Sequence, residues 1–157
     1  MSIKISHYIQ TSNIKQFNET MKTGFFMAIL SIIALTLFPI ELSTNGLFKL
    51  SIIPFKTTLS IIFSGNIISI LANIIGNTIM FIPLGFFSYI NFKGNKSKSI
   101  KLCLYTTLFV ETVQIILPAR LFDIDDIMLN FLGGYIGVNM AIKFIKLVNN
   151  KTKYIVK

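Results

Sequence analysis

The sequence predicts an all-α integral membrane protein, a bundle of four transmembrane helices with an interfacial or re-entrant segment between the first and the second. Three observations predict it. Of the 157 residues, 53% are hydrophobic and only 13% charged, and the mean hydropathy is +0.71, which does not suit a surface that faces water everywhere. Four apolar runs each reach the roughly 17–25 helical residues needed to cross a hydrocarbon core. The 15 Lys and Arg residues, against 6 Asp and Glu, lie between those runs rather than on one polar face. They therefore read as topology signals, and no nucleic-acid partner is expected.

The first span, 23–40, has only Ser31 and Thr36 as polar interruptions and ends at Pro39, which cannot continue helical hydrogen bonding. It is the least informative of the four. The loop 41–66 that follows is long for a simple connection, and from Asn45 it is apolar with two spaced lysines and Pro54. Such a segment is expected to lie in the outer interface or to re-enter the outer leaflet rather than to span. The second span, 67–90, carries Asn73, Asn77 and Pro83; the third, 100–117, carries Glu111 and Gln114 before Pro118 ends it. The fourth, 127–148, carries Asn130 and a glycine-rich face, then runs out in Lys143 and Lys146, whose long side chains can reach the interface. One membrane domain, 1–157, accounts for the chain, and no cleavable signal is expected.

Orientation follows from the Lys/Arg bias of short loops. With the N-terminus inside, Lys4, Lys15, Lys22, Lys93, Lys96, Lys98, Lys101, Lys143, Lys146, Lys151, Lys153 and Lys157 fall on the cytoplasmic side, and only Lys49, Lys56 and Arg120 fall outside. Both termini are therefore expected in the cytoplasm.

Four of the six acidic residues, Glu111, Asp123, Asp125 and Asp126, fall within sixteen positions. Glu111 and Gln114 share a face of the third helix, Asn73 and Asn77 share one of the second together with Asn66, and Asp126, Asn130, Gly133 and Gly137 form a stripe on the fourth. Helical rise puts Glu111 and Asn73 at about 9 Å below the outer surface, with Asn130 somewhat shallower. A carboxylate in hydrocarbon is costly unless it faces protein or water, so intramembrane acids are functional candidates by default. The expected arrangement is an outward-open polar pocket roofed by the 119–126 loop. Glu111 and Asp126 are the acid/base candidates. Asn73, Asn77, Gln114, Arg120, Asp123, Asp125 and Asn130 are the ligand-binding candidates, with Arg120 suited to a phosphate or carboxylate.

Structural roles are open to most of these residues as well. Asn73, Asn77 and Gln114 could be interhelical hydrogen-bond partners. The aspartates could cap the fourth helix, and Arg120 could pair with them. The glycines 133–137 contain a G-x-x-x-G spacing that lets helices approach closely. No metal or cofactor is expected. The Asp123-x-Asp125-Asp126 run lacks the glycine and late glutamate of a calcium loop, the one histidine is His7 in the N-terminal tail, and Cys103 is a lone thiol inside an apolar run.

Four segments, IIPFKT (52–57), NIIGNTIMFIPLG (73–85), ETVQIILPAR (111–120) and FDIDDIMLNFLGGYIG (122–137), closely resemble, in order, the VanZ-like family of small bacterial membrane proteins. The likeness covers about residues 50–140 and includes Pro54, Asn77, Pro83, Gly85, Glu111, Gln114, Arg120, Asp123, Asp126, Asn130 and Gly133. It implies a multi-pass protein of the bacterial plasma membrane, in a family named for a protein of teicoplanin resistance. Three functions follow as expectations. One is an envelope protein whose outer pocket binds an anionic or amphiphilic ligand, such as a lipid-linked wall precursor or a lipoglycopeptide tail. Another is an enzyme acting on a lipid or precursor headgroup. The third is a small transporter or assembly partner, which would be a homo-oligomer joined through the glycine face. Membrane lipids are partners in every case.

Overall fold

The computed structural model describes residues 2–37, 49–116 and 121–155. In chain order these form helix α1 (Ser2–Leu37), strand β1 (Lys49–Ser51), helix α2 (Lys56–Ser64), a short turn of helix α3 (Ile67–Ser69), a π-helical segment (Ile70–Ile75), α4 (Gly76–Asn91), α5 (Lys96–Ile116), strand β2 (Leu121–Asp123) and α6 (Ile124–Ile155). Among the described residues, three stretches are long and apolar enough to cross a membrane: Ile14–Thr36 in α1, Ile67–Asn91 through α4, and Ile124–Val148 in α6. The fourth expected span, α5, has 21 residues and is not among these three.

The expected boundaries move for local reasons. The span placed at 23–40 belongs to a helix that starts at Ser2, because no glycine or proline interrupts 2–22 and the turns propagate through polar sequence. Its expected end at Pro39 lies outside the described residues. The third helix begins at Lys96 rather than 100 because Asn95 Oδ1 accepts a hydrogen bond from Lys98 N at 3.0 Å, an N-cap that the hydropathy pattern does not show.

The fold is all-helical, as expected, apart from one short ladder. β1 and β2 pair in parallel, with Lys49 opposite Leu121, Leu50 opposite Phe122 and Ser51 opposite Asp123. Backbone groups in low dielectric must find partners, and two three-residue strands let the two inter-helix segments satisfy each other. The described part of the 41–66 loop does not cross the bundle. Beyond β1 it turns through Phe55, which has φ +63°, into the nine-residue α2, and Gly65 at φ +65° ends that helix. At about 13 Å, α2 is too short to span, and it presents Leu59, Ile62 and Phe63 outward.

α4 and α6 form the most extensive contact in the bundle, and glycine is the reason. A Cβ on Gly85 would collide with the backbone of Gly134, one on Gly133 with the carbonyl of Thr78, and one on Gly137 with the carbonyl of Ile82. Backbone therefore meets backbone along about two turns of α4. On the other side of Gly134, an added Cβ would lie 2.7 Å from Cys103 Sγ, so α5 presses in as well. The close approach expected of the glycine face is made within one chain, and a homo-oligomer would need another surface. Phe81, Leu84, Cys103, Val110, Ala28 and Ile32 complete the core.

Candidate functional site

At one end of the bundle α1 and α5 finish while α4 and α6 begin. A cavity of about 350 Å³ opens there, lined by Leu35 and Thr36 of α1, Ala72 and Asn73 of the π segment, Gly76, Asn77 and Met80 of α4, Gln114 of α5 and Asp126 of α6. Four candidates read from the sequence, Asn73, Asn77, Gln114 and Asp126, thus meet at one cavity. The π segment shapes it: Gly76 N donates to Leu71 O, five residues back, so the turn carries an extra residue. Of the expected stripe Asn66, Asn73 and Asn77, the last two line this cavity and Asn66 does not. Asn66 Oδ1 instead accepts from Ser69 N at 3.1 Å as a helix cap, and Asn73 Nδ2 donates to Ser69 O at 3.0 Å.

Two cross-helix hydrogen bonds fix the lining. Asn77 Nδ2 donates to Asp126 Oδ1 at 2.6 Å, joining α4 to α6. Gln114 Nε2 donates to the Thr36 carbonyl at 3.1 Å, joining α5 to α1. The helix that carried least information in the sequence therefore supplies a wall of the site. Its only trace there was Thr36, a polar residue near the end of the span.

The remaining acids lie behind this wall and form a relay of caps. Glu111 is 1% exposed, does not line the cavity, and accepts from Asp123 N through Oε2 at 3.2 Å. Asp123 Oδ1 accepts from Asp125 N at 3.0 Å, capping α6. Asp125 turns away from the cavity and holds the loop segment: its Oδ1 accepts from Phe55 N at 2.6 Å and its Oδ2 from Thr58 N at 2.9 Å. Asn130 sits one turn deeper than Asp126, where its Nδ2 donates to Thr107 Oγ1 at 3.2 Å. Its buried Oδ1 has no partner among the described residues. Arg120 lies outside the described residues. Among the described residues these carboxylates are met by N–H groups and a carboxamide rather than by a cation, and no three His, Cys, Asp or Glu side chains could hold a metal ion.

A family model described as VanZ/LLP1 matches residues 25–147. The chain belongs to the VanZ/LLP1 family. The match confirms the likeness read over about 50–140 and extends it to α1, so every residue lining the cavity of this VanZ/LLP1 protein lies inside the matched region. No curated protein and no solved structure matches the chain. Phe55, Thr58 and Thr107 are the partners that sequence reasoning missed. The first two engage through backbone N–H groups 70 and 67 residues from Asp125, for which side-chain patterns carry no signal.

Proposed function

We propose that this VanZ/LLP1 protein is a four-span protein of the bacterial plasma membrane that binds the polar head of an amphiphile in an outward-facing cavity and lowers the access of teicoplanin-type glycopeptides to their target. The observation that carries it is the meeting of Asn73, Asn77, Gln114 and Asp126 at a cavity of about 350 Å³ walled by α1, α4, α5 and α6. A carboxylate and three carboxamides suit a head rich in hydroxyl, amide or ammonium donors, as a lipid-linked wall precursor or a lipoglycopeptide offers. Arg120 is the residue the sequence offers for an anion contact.

In this reading α5 is the fourth span. Its 21 residues cover about 31 Å, its one acid, Glu111, is buried together with Thr107, and Tyr105, Leu108 and Phe109 face outward. The twelve-to-three distribution of Lys and Arg puts both termini inside, and α2 with its apolar side chains lies in the outer interface. Binding is favoured over headgroup chemistry because only Asp126 of the two acid/base candidates lines the cavity.

The test is complementation. A strain lacking the gene is given back the wild type, Asp126→Asn or Gln114→Leu, and susceptibility to teicoplanin-type drugs is measured alongside the lipid and precursor profile. Loss of protection in both variants at normal protein level is the expected result. Unchanged susceptibility on deletion and overexpression across several strains overturns the role, and an altered lipid profile in Asp126→Asn moves the assignment to an enzyme.

A further inference from the structure

At the opposite end of the bundle α1 runs on past the α4–α5 turn, and a second cavity of about 390 Å³ opens between them. Its lining includes Lys15, Lys22 and Lys93 together with Asn18, Asn91 and Glu19. The walls are fixed. Asn91 Nδ2 donates to Met21 O at 3.0 Å and to Phe87 O at 2.8 Å, tying α4 to α1, and a Cβ on Gly24 would lie 2.5 Å from the Phe87 ring. Lys22 pairs with Glu19 at 2.9 Å. Lys15 and Lys93 make no ion pair or side-chain hydrogen bond among the described residues, so three ammonium groups face one carboxylate that is already engaged.

Lys93 also occupies a place where glycine is usual. Its N–H donates to Ile90 O at 3.0 Å and the N–H of Gly94 donates to Tyr89 O at 2.9 Å, the hydrogen bonds of a helix end whose penultimate residue turns left-handed. Lys93 takes that conformation with φ +52°, although Gly94, at φ +81°, stands beside it. An L residue is strained there and glycine is not. The chain thus holds an ammonium at the rim of a basic cavity in a strained backbone. Ile14 and Phe17 are exposed on the adjoining face of α1, giving apolar contact next to the charge.

We propose that this second cavity binds the phosphate of an anionic phospholipid headgroup, with Lys15 and Lys93 as its cations and the exposed face of α1 against the lipid's glycerol and first methylenes. Basic pockets between helices at the membrane interface recognise such headgroups by charge and by depth. The site is separate from the carboxylate cavity and does not rest on the function proposed for it.

Native mass spectrometry of the full chain in a neutral detergent tests this with short-chain phosphatidylglycerol, phosphatidylcholine of the same acyl length and glycerol 1-phosphate. Phosphatidylglycerol is expected to bind about tenfold more tightly than phosphatidylcholine. Lys15→Gln with Lys93→Gln should remove that preference, whereas Lys143→Gln with Lys146→Gln, an equal charge change on exposed positions of α6, should keep it. Lys93→Gly separates folding from binding: it should raise the thermal midpoint while lowering phosphatidylglycerol affinity several-fold. Equal affinity for the two lipids, equal loss in the α6 control, or full preference in Lys93→Gly each overturn the site. Glycerol 1-phosphate bound as tightly as the lipid, with the same lysine dependence, overturns the lipid as the ligand in favour of a soluble phosphate ester.

Discussion

Replacing Asp125 by Asn should release the segment that contains α2 while leaving the helical bundle intact. Asp125 is 3% exposed, and its two oxygens accept from Phe55 N at 2.6 Å and Thr58 N at 2.9 Å. Hydrogen bonds to a charged group contribute about 1.5–3 kcal/mol each, against about 1 kcal/mol for neutral ones. Asparagine keeps one acceptor, loses the charge and turns an NH₂ toward the second N–H. The loss is therefore about 2–3 kcal/mol, one charge-assisted bond removed and the other weakened. Because α2 has no buried residue of its own, that free energy acts on local opening rather than on the bundle. It corresponds to an opening equilibrium raised on the order of 30- to 150-fold. Hydrogen exchange of the protein in nanodiscs reads this directly: protection at amides 55–64 should fall by that factor, and amides 81–88 of α4 serve as the internal reference. Unchanged protection at 55–64 would refute the clamp. An equal fall in α4 would show that Asp125 supports the whole fold instead.

Four further outcomes follow from the same geometry. Gly133→Ala should lower thermal stability in detergent by about 3 kcal/mol or more, the upper end of overpacking costs, because its Cβ meets the backbone of Thr78 rather than a movable side chain. Gly76→Ala, whose nearest added contact is Leu71 O at 3.4 Å, should be near neutral by the same melting assay. Glu111→Gln keeps an acceptor for Asp123 N and should fold normally, whereas Glu111→Leu leaves that N–H unpaired and should cost about 1–3 kcal/mol; equal melting of the two variants would show that the hydrogen bond carries nothing. Gln114→Leu should loosen α1 from α5, seen as faster exchange at the end of α1 near Thr36, since the bond to its carbonyl is a direct tie between those helices.

The membrane helices and one end of the site were legible because both are written in side chains. Long apolar runs mark the spans; Asn77 and Gln114 interrupt two of them, and Asp126 stands at the start of the fourth. The G-x-x-x-G spacing announced a close approach, and Gly85 on α4 turned out to complete it. Backbone partners were not legible. The pairing of Ser51 with Asp123 and the capture of Phe55 N by Asp125 involve groups that every residue carries, so no residue type signals them. Depth alone does not fix which way a side chain faces. Glu111 and Asp126 were read as facing one pocket; Asp126 lines the cavity, whereas Glu111, which accepts from Asp123 N, does not. Facing direction depends on how the inter-helix segment folds back, which helical periodicity does not contain.

The π segment between α3 and α4 makes chain length itself a property of the site. Ile70–Ile75 closes its turn from Gly76 to Leu71, so it holds one residue more than an α-helical turn of the same span. Removing a residue there lets the turn close as ordinary α-helix, with residues 76 to 91 left in place against α6. A deletion anywhere within α4 would instead rotate all that precedes it by about 100° and take Asn77 off Asp126. The second transmembrane segment therefore has one stretch in which its length can change without displacing the helix that packs on glycine. The cavity wall, which includes Ala72 and Asn73 from that same stretch, can be reshaped by insertion or loss of a single residue while the bundle beneath it stays as it is.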